Sequence, residues 1–90
     1  MHITYPHALG KDEARARLQR LTGYWTKKYG VAVTWDSDRA SINGKAKGIA
    51  FDAVLTVGDE QIEATGSDLN WLVRRAAESY IREKLDEYLG

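Results

Sequence analysis

The spacing of apolar residues changes twice along this chain, and the two changes leave few folds open. Between Lys11 and Tyr29, Ala14, Leu18, Leu21, Trp25 and Tyr29 recur every three or four residues. That spacing gathers them into one stripe of a helix with a single buried face. From Val31 the period drops to two: Val31, Val33 and Trp35 alternate with Ala32 and Thr34. Alternation sends successive side chains to opposite faces of a strand. Beyond Ser67 the helical spacing returns.

Local signals place the elements inside this frame. Asp12 and Glu13 sit in the first turn of the first helix and Lys27 and Lys28 in its last, which suits the helix dipole. Gly30 is positioned to end the helix in the left-handed conformation. Gly23, inside it, costs about 1 kcal/mol relative to alanine; it either admits a close neighbour or marks a bend. Asp36-Ser37-Asp38 supplies a turn. Arg39 to Ile42 predicts a second short strand, ended at Asn43-Gly44, the strongest hairpin signal in the chain. Gly48 to Val57 predicts a longer strand with Ile49, Phe51, Ala53, Leu55 and Val57 on one face. After a turn at Gly58-Asp59, Glu60 to Thr65 returns with Ile62 and Ala64 inward. At the start, His2 to Tyr5 alternates and predicts a short strand closed by Pro6. Ser67 or Asp68 can cap a last helix running to about Leu89.

Strands that alternate need one buried and one wet face, so both helices are expected on the same side of an antiparallel sheet. The expected class is α+β: a two-layer sandwich with four to five antiparallel strands in the order β-α-β-β-β-β-α, the first strand at an edge. Ninety residues predict a single α+β domain over residues 1–90. Such a domain has one core and little spare volume for a deep enclosed site.

Composition narrows the function classes. Thirteen basic residues cancel 13 acidic ones, so no net field draws in nucleic acid or an anionic membrane. The absence of cysteine excludes disulfides and thiolate metal sites. No apolar run approaches the ~20 residues of a transmembrane helix, and Met1 to Leu9 has no signal-peptide pattern. A cytoplasmic location is the expectation.

His2 and His7 are the only histidines, hence the only side chains whose ordinary titration falls near neutrality. One reading makes His7 a general base oriented by Asp12 or Glu13, but no serine, threonine or lysine stands in a context that marks a nucleophile. The other has His7 order the backbone of the turn after Pro6. Strand alternation separates His2 from His7 unless Pro6 breaks the parity, so no metal-ligand set forms. The expectation is no catalytic residue, no metal and no cofactor. Asp52 and Glu63 are expected on the solvated sheet face. Arg39, Lys45 and Lys47 form a basic group without interleaved aromatics, which gives no platform for single-stranded nucleic acid.

The last helix departs most from a simple pattern. Leu69, Leu72, Val73, Ala76 and Tyr80 form a stripe with Trp71 nearly opposite, within cation–π reach of Arg74 and Arg75. Through Ile81, Leu85 and Tyr88 the stripe then drifts by roughly 90°. Either the sheet curves beneath it, or the distal part meets something else. On the second reading Trp71, Arg74, Arg75, Ile81, Leu85 and Tyr88 form an interaction surface for a partner or for a second copy in a homodimer.

Several short motifs together resemble a known family. They are Met1-His2-Ile3, Pro6-His7-Ala8-Leu9, Glu13-Ala14-Arg15-Ala16-Arg17, Lys28-Tyr29-Gly30, Val33-Thr34-Trp35, Gly44-Lys45-Ala46-Lys47-Gly48 and Ile81-Arg82-Glu83-Lys84-Leu85-Asp86. In these the chain resembles the polyhydroxyalkanoic acid system proteins, small bacterial proteins encoded beside genes for storage-polyester granules. The resemblance covers most of the chain and carries over no catalytic residue. It implies a non-enzymatic accessory or regulatory protein, with the polyester granule or a granule-associated protein as partner. The alternative is a small-ligand binder whose pocket, between sheet and helices, takes an acyl or hydroxyacyl group. Trp25, Trp35 and Phe51 would line such a pocket, with Tyr5 or His7 as the anchor.

Overall fold

The structure, a computed structural model, describes residues 1–46, 48–67 and 71–90, the side chains of Ala46, Ile49 and Trp71 excepted. The elements follow in the order β1 (His2–Pro6), α1 (Lys11–Tyr29), β2 (Ala32–Asp36), β3 (Arg39–Ala46), β4 (Ile49–Val57), β5 (Gln61–Gly66) and α2 (Trp71–Leu89). The five strands form one antiparallel sheet in the spatial order β1-β5-β4-β3-β2. This is the α+β arrangement that the change of period predicts, with β1 at an edge.

Register turns the alternation into rows of side chains beneath the helices. One row runs Ile3, Ala64, Leu55, Ala40, Trp35, and the next toward the start of β4 runs Gly66, Ala53, Ile42, Val33. A last row pairs Phe51 with Gly44. Ile3, Ala40, Ile42, Leu55, Val57, Ile62 and Ala64 are buried, together with Ala14, Leu18, Leu21 and Trp25 of α1 and Leu85 and Leu89 of α2. Each leucine or isoleucine so buried contributes roughly 1.5–3 kcal/mol through loss of water contact. The opposite sheet face carries Thr4, Thr34, Thr56, Glu63 and Thr65, all exposed.

Asn43-Gly44 does not turn the chain. Both residues lie inside β3, opposite Asp52 and Phe51. A two-residue hairpin at Asn-Gly needs positive φ at both positions, and Asn43 does not have it. The lack of a side chain at Gly44 has a different use here. A Cβ at Gly44 would stand 3.0 Å from Val31 Cγ1 and 3.2 Å from Val31 Cα, so glycine lets the chain entering β2 cross close over β3. The strand therefore continues to Ala46.

Helix α1 has the boundaries that its stripe predicts. Gly30 ends it at φ 68°, ψ 23°, and its N–H donates to the Thr26 carbonyl at 3.0 Å. At its other end Arg15 and Lys11 reach Asp38 in the β2–β3 turn, at 2.6 and 3.2 Å. These cations hold the Asp38 carboxyl below the usual range, the Lys11 hydrogen bond first. The proposed cap of α2 is not made by Ser67. Its hydroxyl accepts from the backbone N–H of Asp52 at 2.9 Å and donates to the Asp52 carbonyl at 3.2 Å, which ties the end of β5 to β4. Asp68 and Leu69 lie outside the described residues.

Gly23 is exposed, and a Cβ there would meet nothing within 4 Å. It neither admits a close neighbour nor interrupts the helix, so its effect reduces to backbone entropy. Gly23→Ala should stabilise the fold by about 0.5–1 kcal/mol, read as a higher urea midpoint with an unchanged slope. An unchanged or lowered midpoint would contradict this.

Candidate functional site

The drifting stripe of α2 resolves into two halves with different neighbours. In the distal half Leu85 is fully buried and Leu89 is 5 % exposed. Tyr5 of β1 donates to Asp86 Oδ1 at 2.5 Å, a contact that raises the Tyr5 hydroxyl above its ordinary pKa. In the proximal half Leu72 is 62 % exposed and Ala76 is exposed. The helix thus sinks into the core at its end and stands clear of the sheet near its beginning. This corrects the expected surface: Leu85 is a core residue, and Ile81 and Tyr88 are half-buried. Arg74 and Arg75 are exposed and border an open groove with Met1, His2 and Glu78. The Trp71 side chain, and with it the proposed stacking on either arginine, lies outside the described residues.

Between the proximal half of α2 and the sheet lies a cleft of about 340 Å³. Ile42, Phe51 and Ala53 form its floor, Trp25, Tyr29 and Val31 one wall, and Val73, Ala76, Ala77, Tyr80 and Ile81 its roof. Short side chains face it from both sides, Ala53 in the sheet and Ala76 and Ala77 in the helix. Protein interiors otherwise pack to the density of organic crystals.

An aromatic clamp closes the inner end of the cleft. Trp25 Nε1 donates to the Tyr80 hydroxyl at 3.1 Å, and the Tyr29 hydroxyl donates to the same oxygen at 3.1 Å. The Trp25 and Tyr29 rings lie 6.5 and 6.4 Å from the Tyr80 ring, centre to centre. Burial first, then the Tyr29 hydrogen bond, pushes the Tyr80 hydroxyl far up from its ordinary pKa, so it stays protonated. Next to the clamp, Lys84 sits 4.9 Å from the centre of the Tyr24 ring and 3.0 Å from Glu87 Oε2. Lys28 Nζ lies 3.1 Å from the Tyr24 hydroxyl and lowers its pKa.

Of the five residues expected to line a pocket, Trp25 and Phe51 do so; Tyr5, His7 and Trp35 do not. Trp35 shares the inner face but stands in the Leu55 row, where Nε1 donates to Thr22 Oγ1 at 3.3 Å. Tyr5 is held by Asp86, as above. His7 is occupied by backbone. Its Nδ1 accepts the Leu9 N–H at 3.2 Å, which leaves Nε2 to donate to the Gly58 carbonyl at 3.0 Å. These bonds fasten the β1–α1 connection to the β4–β5 turn, and among the described residues no hydroxyl or amine nucleophile is a partner of the ring. Among the described residues no three His, Asp or Glu side chains gather as a metal-ligand group. No described helix is long and apolar enough to cross a membrane.

Sequence reasoning missed Tyr29 and Tyr80 as site residues. Their positions on the two helical stripes marked both for burial, and the clue was that each carries a hydroxyl into an apolar stripe, where it needs a partner.

A family model described as "Putative polyhydroxyalkanoic acid system protein" matches residues 1–89. No curated protein and no solved structure matches the chain.

His7→Ala should lower stability by about 1–2 kcal/mol, because it removes one hydrogen bond and strips the Leu9 N–H of its acceptor. Thermal unfolding checks this. An unchanged melting temperature would mean that the ring does not fasten the turn.

Proposed function

The chain belongs to the polyhydroxyalkanoic acid system protein family, and from that premise we propose that it is a non-enzymatic accessory or regulatory protein of polyester-granule storage. In this reading it works by contact with the granule surface or with a granule-associated protein. The observation that carries the reading is the proximal half of α2, which presents Leu72 at 62 % exposure beside the exposed Arg74 and Arg75. A large apolar side chain next to arginines is the composition of a contact surface. The other broad face, the threonine side of the sheet, lacks a large exposed apolar group among the described residues. The groups near His7 supply no nucleophile, which favours contact over catalysis.

A second reading has its own observation. The cleft of about 340 Å³ falls within the ~300–1,000 Å³ typical of small-ligand sites and has apolar walls with few polar groups, as such sites do. It supports a small-ligand module that takes an acyl or hydroxyacyl group between sheet and helices.

Co-sedimentation of the purified chain with isolated polyester granules tests the first reading. Binding should fall about tenfold in Leu72→Asp and in the double variant Arg74→Glu/Arg75→Glu, the scale of one lost central contact. Glu63→Lys, on the opposite sheet face, should leave it unchanged. No co-sedimentation with bare or protein-coated granules would overturn the reading, and so would equal loss in Glu63→Lys.

A further inference from the structure

We propose that the cleft under the start of α2 binds a neutral ligand with an apolar chain and an ester-type carbonyl, and that the Tyr29–Tyr80 hydroxyl pair donates the hydrogen bond that holds the carbonyl. This deepens the ligand-binding reading and rests on it.

The hydrogen-bond count at the clamp carries the inference. Three donors meet there, the Trp25 N–H and two phenol hydroxyls, but the Tyr80 oxygen receives two of them. The proton of Tyr80 is then left over. Reversing the tyrosine pair moves the spare proton to Tyr29 and leaves the count the same. Tyr29 and Tyr80 both line the cleft, so whichever phenol keeps the proton offers a donor at the edge of an apolar space. A donor in that position is matched by a lone acceptor on an otherwise apolar molecule.

Charge selects among acceptors. Among the described residues no lysine or arginine lines the cleft. The Asp52 carboxylate is engaged by Asn43 Nδ2 at 3.2 Å on the exposed side, and Ser67 is engaged by the Asp52 backbone. A carboxylate drawn into this space would lose its hydration, which is costly, while Lys28 and Lys84 stand outside the described lining, 5.7 and 5.9 Å from the centres of the Tyr29 and Tyr80 rings. The neutral Tyr80 phenol can donate to an uncharged carbonyl. A free acyl ester and a segment of a polyester share this chemistry.

The test is an NMR titration of the ¹⁵N-labelled full chain, read at the Trp25 indole N–H. The chain has three tryptophans, and Trp25→Phe assigns the resonance. The probes are methyl octanoate, sodium octanoate and a methyl-ester-capped trimer of 3-hydroxybutyrate. Methyl octanoate should shift the Trp25 signal saturably, and octanoate should bind at least about tenfold more weakly. The double variant Tyr29→Phe/Tyr80→Phe, which removes both phenol donors, should weaken ester binding about three- to tenfold, the range of one hydrogen bond. Ala77→Phe, which fills the roof, should abolish it. Tighter binding of the trimer assigns the site to a polyester segment, and tighter binding of methyl octanoate to a free acyl ester. The proposal fails if wild-type Trp25 shows no saturable shift, if ester and carboxylate bind alike, or if the double variant Tyr29→Phe/Tyr80→Phe binds as well as wild type. Absent ester binding with granule co-sedimentation intact removes this site and leaves the granule contact standing. Ester binding without co-sedimentation removes the contact and leaves the site.

Discussion

The hydrogen bond from the Trp25 indole to the Tyr80 hydroxyl joins the two helices at the point where α2 leaves the sheet. Distal to it, Leu85 and Leu89 are buried in the core. Everything proximal to it stands over small side chains and touches the sheet less. The clamp therefore does two jobs with one set of atoms. It fixes the crossing of α1 and α2, and it defines the closed end of a cleft that would collapse if the helix were free to descend.

The cause of the cleft is volume rather than strain. Gly44 is small because Val31 crosses it closely, and Ala53, Ala76 and Ala77 are small on both sides of the gap. A larger residue at any of the three alanines would bring sheet and helix into contact. Small residues opposite each other, beside three large aromatics that hold them apart, leave an apolar space with a phenol donor at one end. Leu72, which does not line the cleft, is exposed on another face of the same helix.

Much of this fold can be read from the order of residues, because facing is set by period. Alternation correctly put Phe51, Ala53, Leu55, Ile62 and Ala64 under the helices, and the caps of α1 follow from Gly30 and the charges at its ends. What period does not give is position along a strand. Trp35 and Phe51 face the same way, yet register sets them in different rows, one beneath α1 and one at the cleft. Asn43-Gly44 misled for a related reason: the same dipeptide serves a tight turn or a close approach within a sheet, and the backbone of Asn43 and its pairing with Asp52 distinguish them. The drift of α2 was visible in the sequence, but which half is buried depended on α1. Leu85, expected at a surface, is core for that reason, and Tyr80, expected in the core, is the residue that shapes the site.

The double-mutant cycle of Trp25→Phe and Tyr80→Phe, read by urea unfolding, tests the clamp most directly. Both substitutions keep a ring and remove one partner of the hydrogen bond. If this bond ties the helices together, the two losses should be non-additive by about 0.5–1.5 kcal/mol, the net worth of a protein hydrogen bond. Losses that add to within about 0.3 kcal/mol would mean that the two residues act independently, and that something other than this clamp holds α2 above the sheet.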